Sequence, residues 1–188
     1  MTRTLLFCTA EEAKPVRYSH LICIRGILKA AEHEFWLLES QECPSDSSGL
    51  KSQLADDETY DASAFIGASE EDCQAWYQRH VDKVNFIEEE SIAIADARTA
   101  RDGTILIQYY QEVEGEECPP FGVLPPKADT WYDFRIRPEH TARLLANLSH
   151  VASDVSFPRY FGRKEEFTDE NGVFDPEKAD REVLGDDL

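Results

Sequence analysis

The stretch 91-SIAIADARTARDGTILIQYYQE-112 decides how the chain is read. Two apolar, strand-forming runs, residues 91–96 and 104–112, flank the polar break TARDG. Asp102 and Gly103 in that break are a tight-turn signal, so the segment predicts an antiparallel β-hairpin. The chain is therefore expected to build a sheet, with other elements pairing onto this hairpin or packing against it.

Working outward, residues 130–137, TWYDFRIR, set Tyr132, Phe134 and Ile136 against Trp131, Asp133, Arg135 and Arg137. That alternation predicts a strand with one apolar face. Pro138 suits a first helical turn, and Thr141, Leu144, Leu145, Leu148 and Val151 then form one helical stripe. On the other side of the hairpin, Ser69 and Asp72 form a capping-box pattern ahead of a helix with Trp76, His80, Val81 and Val84 on its apolar face. SAFIG, 63–67, reads as a strand before it.

Near the start, residues 3–8 predict a strand, and Thr9 with Glu12 a capping box. Val16, His20, Ile24, Ile27, Leu28 and Ala31 give a helical stripe, and residues 34–39 a second strand. Together they predict a β-α-β unit. Residues 40–62 are rich in Ser, Asp, Gln and Gly and read as a loop insertion. Residues 113–129 are acidic and proline-rich, which predicts a stiff loop able to act as a lid. The segment 165–188 carries ten acids against Lys178 and Arg181. The expected architecture is mixed α/β (α+β): a two-layer sandwich with a central, partly antiparallel sheet and about three helices. One domain spans 1–176, and 177–188 is an acidic, flexible tail.

The chain of 188 residues carries 19 Lys and Arg against 38 Asp and Glu, a formal charge of -19. A field of that sign repels phosphate backbones and anionic membranes, and it steers basic partners inward. No run approaches the roughly 20 apolar residues of a membrane span. The N-terminal apolar run, residues 5–8, is short of a signal-peptide core. The five Cys (Cys8, Cys23, Cys43, Cys73, Cys118) are irregularly spaced with no Cys-x-x-Cys, which predicts reduced thiols and a cytoplasmic protein.

Three segments also carry a resemblance. They are Phe134, Arg135 and Pro138 in a Phe-Arg-x-x-Pro pattern, Asn147-Leu148-Ser149, and 169-DENGVF-174. With residues 64–76 and Ala95-Asp96 they resemble an uncharacterised family of small bacterial and fungal proteins over roughly 62–176. The chain departs from that pattern after Ser149, where Val155-Ser156-Phe157 replaces an Asn-x-Asp-Phe segment. The family has no established activity to carry over, so the resemblance implies a domain and nothing more.

The common nucleotide-binding and acyl-transfer signatures are absent from the sequence. DENGVF lacks the alternating oxygen ligands of a calcium loop and reads as an Asn-Gly turn. His20, His33, His80, His140 and His150 include no pair at H-x-x-x-H spacing, so no metal and no cofactor are expected. His140, at a predicted helix N-terminus, is the candidate acid–base group, because the dipole there disfavours its protonated form. Arg135 and Arg137 are candidate anion holders. Tyr109, Tyr110, Trp131, Tyr132, Phe157 and Tyr160 are the candidate binding aromatics.

Two functions fit. The first is an acidic interaction protein of inhibitor, immunity or regulatory type, which binds a basic protein partner by electrostatic steering and aromatic anchors. The second is a small cofactor-independent enzyme, an isomerase, cyclase or hydrolase acting on an apolar small molecule. The second requires His140, an arginine and at least two of the aromatics to converge on one cleft.

Overall fold

The hairpin forms the centre of a five-stranded sheet. The computed structural model describes residues 2–14, 24–55, 58, 61 and 63–184. The strands are β1 (Arg3–Cys8), β2 (Phe35–Leu37), β3 (Ile87–Ala95), β4 (Ile105–Gln111), β5 (Glu116–Glu117), β6 (Val123–Leu124) and β7 (Thr130–Ile136). The α-helices are α1 (Ile24–Ala30), α2 (Glu70–His80), α3 (Ala97–Asp102), α4 (Thr141–Ser149), α5 (Ser153–Phe157) and α6 (Pro176–Leu184). The main sheet has the order β2-β1-β3-β4-β7, and β5 with β6 make a separate two-stranded arm. β1 runs parallel to β2 and β3, while β4 runs antiparallel to β3 and β7. The N-terminal β-α-β unit is thus present over its described residues. Val16 and His20 of its expected stripe lie outside them.

β3 and β4 pair antiparallel, with Ser91 opposite Tyr109 and Ile94 opposite Leu106. Their connection is not a tight turn but α3. Asp96 accepts from the Thr99 amide at 2.8 Å, and the Asp96 amide donates to the Thr99 hydroxyl at 3.2 Å, a capping box. Gly103, at φ 75°, is the left-handed C-cap. The Asp-Gly signal was ambiguous because tight turns and helix C-caps both need a residue at positive φ.

The fold class is the expected mixed α+β with a central, partly antiparallel sheet. It differs in two details. Six α-helices are present among the described residues rather than about three, and the sheet is covered on both faces, giving three layers rather than two. Leu6, Cys8, Ala93, Ala95 and Ile107 point to a core shared with α1, α4 and α6. Leu5, Phe7, Ile92, Ile94 and Leu106 point to the opposite core, where Phe7 meets Phe65 at 4.9 Å and Trp76 of α2 at 5.8 Å. Residues 92–95 are apolar at every position because both of their faces are buried.

Two local expectations are corrected. Residues 64–67 form a turn rather than a strand, with Gly67 at φ 79° donating its amide to the Thr9 carbonyl at 2.9 Å. Thr9 and Glu12 make no capping box, since the short 3-10 helix Glu11–Ala13 starts at Ala10 without a side-chain cap. In the 40–62 segment, a 3-10 turn at Ser47–Gly49 and a bridge from Leu37 to Lys51 are the regular features among the described residues.

The acidic tail does not begin at 177. Residues up to Leu184 are helical in α6, with Ala179 fully buried, while 185–188 lie outside the described residues. α6 is held by Asp180, which accepts from Arg143 Nη1 at 3.1 Å, Arg159 Nη1 at 3.2 Å and the Tyr160 hydroxyl at 3.1 Å. Burial pushes the Tyr160 hydroxyl pKa up, and the Asp180 charge adds to the effect. Counting acids in sequence hid this pairing, because the partners come from α4 and the π-helical turn Pro158–Gly162.

Arg159 is 8 % exposed, and its Nε has no hydrogen-bond partner. Removing Asp180 would leave that guanidinium buried without its carboxylate and with the Arg143 charge nearby. Asp180→Ala is therefore expected to cost about 3–5 kcal/mol in denaturant unfolding, the scale of a broken buried pair. A loss under about 1 kcal/mol, typical of an exposed pair, would contradict this role.

Candidate functional site

One end of the sheet gathers carboxylates around two aromatic rings. It begins with a bulge in β3. Arg3 pairs with Ile87 and Leu5 with Ile92, so Glu88, Glu89 and Glu90 bulge from the ladder with β1, with Glu90 at φ 71°. A bulge re-aims side chains, and here Ile87 and Ile92 stay buried while Glu89 and Glu90 reach the surface. The Tyr77 hydroxyl of α2 braces the bulge by donating to the Glu88 carbonyl at 3.0 Å.

β4 ends beside this bulge and delivers Tyr110 and then Glu112. The end of α2 contributes Tyr77 and Gln78, followed by Val81 and Asp82. Together these residues line a groove of ≈ 300 Å³ with four carboxylates, Asp82, Glu89, Glu90 and Glu112, and no Lys or Arg among its lining residues. The Tyr110 hydroxyl donates to Asp129 at 2.5 Å, and Trp131 packs 5.0 Å from the Tyr110 ring and 5.6 Å from Tyr77. Desolvation raises the pKa of Glu90; the Tyr109 hydroxyl bond opposes the rise, and the Glu89, Glu88 and Glu112 charges add to it. Mutually repelling carboxylates beside the half-buried Tyr110 ring are an environment that a cation relieves.

The aromatics expected to share one cleft are divided between the two faces. Tyr109 pairs across strands with Tyr132, and Tyr110 with Trp131. Successive strand residues point to opposite faces, so the two pairs lie on opposite sides of the sheet. Tyr109 and Tyr132 stack toward Phe161, which also meets Phe157 at 5.2 Å. The β5–β6 arm covers that side through Cys118 and Leu124, both packed with Phe157. Tyr160 is fully buried and committed to Asp180.

Arg135 is also committed. Its guanidinium forms a two-pronged pair with Asp96, Nη1 to Oδ1 at 3.1 Å and Nη2 to Oδ2. Arg137 is exposed at the end of β7, and His140 is half-buried in the 3-10 turn Pro138–His140. Arg137 and His140 share a cleft of ≈ 300 Å³ with Phe167 and Phe174, and none of the six candidate aromatics lines it. The convergence that the enzyme reading requires is not present.

Two of the described thiols, Cys8 and Cys73, are poor nucleophiles. Burial pushes both Cys8 and Cys73 up to about 12. Among the described residues, no group of three or more His, Cys, Asp or Glu is placed to hold a metal ion, and no helix is long and apolar enough to cross a membrane. No family model, curated protein or solved structure matches the chain.

The groove carboxylates were missed in the sequence. Their signal was the run Glu88-Glu89-Glu90 set between the apolar Ile87 and Ile92. An acidic triplet inside a buried strand has to be bulged outward or paired.

The Asp96–Arg135 pair gives a pH-dependent prediction. Burial alone would raise the Asp96 pKa, but the bonds from Arg135 and the Thr99 amide outweigh it and hold the carboxyl below its ordinary value. A depressed folded-state pKa contributes stability above the unfolded value, and that stability is lost as pH falls through the folded one. Asp96→Asn is expected to cost about 1.5–3 kcal/mol at neutral pH, the scale of hydrogen bonds to a charged group. The deficit is expected to shrink in acid below the ordinary Asp range. An unchanged deficit from neutral to strongly acidic pH would contradict it.

Proposed function

We propose that this chain is an acidic interaction protein, of inhibitor, immunity or regulatory type, that binds a basic protein partner. The observation that carries the reading is the groove in which Asp82, Glu89, Glu90 and Glu112 surround Tyr110, with Trp131 behind it. A Lys or Arg side chain of the partner enters this groove, pairs with the carboxylates and lies against the Tyr110 ring. The chain's charge of -19 accelerates the encounter. Tyr110 and Trp131 supply the aromatic anchors that hold the complex once formed. We place the protein in the cytoplasm on the free thiols of Cys8, Cys43, Cys73 and Cys118.

The test is capture of partners from native extract at low salt by the wild type and by a Glu89→Lys, Glu112→Lys double variant, followed by a salt step. A basic protein released from the wild type in stoichiometric amount, and bound at least about tenfold more weakly by the variant, is expected, since reversing contact charges costs several kcal/mol. Equal retention by both, or binding indifferent to salt, would refute the groove as the docking site.

A further inference from the structure

A second cleft, lined by three arginines and three acids, lies at the opposite end of β4. It measures ≈ 890 Å³. Thr104, just before β4, lines it, whereas Tyr110 near the end of β4 lines the acidic groove. Six strand steps separate the two, about 20 Å. The charged residues of the cleft are Arg98, Arg101, Asp102, Arg137, Glu139 and Asp169.

Three arginines against three acids looks balanced, but the acids are mostly committed. Asp102 accepts from Arg98 Nε at 2.8 Å, from the Thr104 amide at 3.0 Å and from the Thr104 hydroxyl at 2.6 Å. Asp169 accepts from the Asn171 and Val173 amides, both at 2.9 Å, and closes its own turn. Arg98 is fixed as well: its Nη2 donates to the Asn171 carbonyl at 2.5 Å and ties α3 to that turn. What remains uncommitted is Arg101, Arg137 and Glu139. Both arginines are exposed, and neither has a carboxylate at ion-pair distance among the described residues. Arg137 acts on Asp169 only at longer range, where it helps lower that carboxyl's pKa.

The facing wall is α1, which presents Gly26, Ile27 and Ala30. A Cβ added at Gly26 would meet nothing within 4 Å, so there is open space beside this wall. The cleft thus combines two guanidinium groups without an ion-pair partner, one free carboxylate, Glu139, and a shallow apolar surface.

We infer that this cleft is a binding site for a small organic anion, whose carboxylate or phosphate group is held between Arg101 and Arg137 while its apolar body lies on the Gly26 and Ala30 face of α1. Guanidinium forks match both anions with paired hydrogen bonds. The binding energy must come from these short contacts, because the long-range field of a chain of charge -19 opposes the ligand. The site is separate from the acidic groove and shares no lining residue with it.

Amide NMR titration of the whole chain tests this, with inorganic phosphate and citrate as probes and sodium chloride at matched ionic strength as the reference. Saturable shifts are expected at residues 26–30, 98–104 and 169–173, and the tighter probe identifies the anion chemistry. Arg101→Gln and Arg137→Gln are each expected to weaken binding by about tenfold, the loss of one charge-assisted contact. Arg181→Gln, on the exposed face of α6, is expected to titrate like the wild type. Gly26→Leu supplies an independent block, because a side chain added there starts in open space on the α1 wall of the cleft. Shifts that do not saturate, that chloride reproduces, or that survive Gly26→Leu and both arginine substitutions in folded protein would overturn the inference.

Discussion

β4 is hydrogen-bonded along both edges, to β3 on one side and β7 on the other, and the rest of the molecule is arranged around that double pairing. Its apolar residues feed both cores, with Ile105 and Ile107 on one face and Leu106 on the other. The polar residue that follows them is satisfied rather than exposed. Gln108 is almost fully buried, donates to Glu70 and Asp133, and accepts from Gln74. A central strand so constrained has one register, since a slip of one residue would exchange Ile107 with Gln108 and place an amide in the apolar core.

That register also separates the charges. At the start of β4 the chain leaves α3 with Arg98 and Arg101 nearby, and at its end it enters the acidic region of Glu112 and the β3 bulge. The bulge gives the acidic end its character. Without it, residues 88–91 would continue the parallel ladder with β1, and alternate glutamates would point into a core. With it, Ile87 and Ile92 remain buried on either side and the acids face water. In the proposed complex, steering by a negative surface is long-ranged and salt-sensitive, while the ring of Tyr110 would act at contact, so the two features would divide encounter from retention.

What was legible in the sequence was local. Ser69 and Asp72 sit one helical turn apart, and their reciprocal bonds form as written. The alternation of 130–137 marked β7, and the leucine stripe marked α4. What was not legible depends on partners distant along the chain. Asp96 meets Arg135 39 positions away, and Asp180 meets Arg159 21 positions away. Neither pairing follows from spacing, and the second one turns an apparently solvated acidic tail into a docked helix. The aromatic cluster was overread for the reverse reason. Tyr109 and Tyr110 are neighbours in sequence, and strand geometry sends neighbours to opposite faces.

The indole N–H resonance of Trp131 offers the most direct measurement of the central claim, because Trp131 packs against Tyr110 at the acidic groove while Trp36 and Trp76 lie elsewhere in that core. The protein would be titrated with an arginine-rich peptide at several salt concentrations. The groove account predicts a saturable shift of the Trp131 signal whose midpoint rises steeply with salt, with the Trp36 and Trp76 signals unmoved. A Trp131 signal that stays in place, or that moves equally at low and high salt, would contradict it.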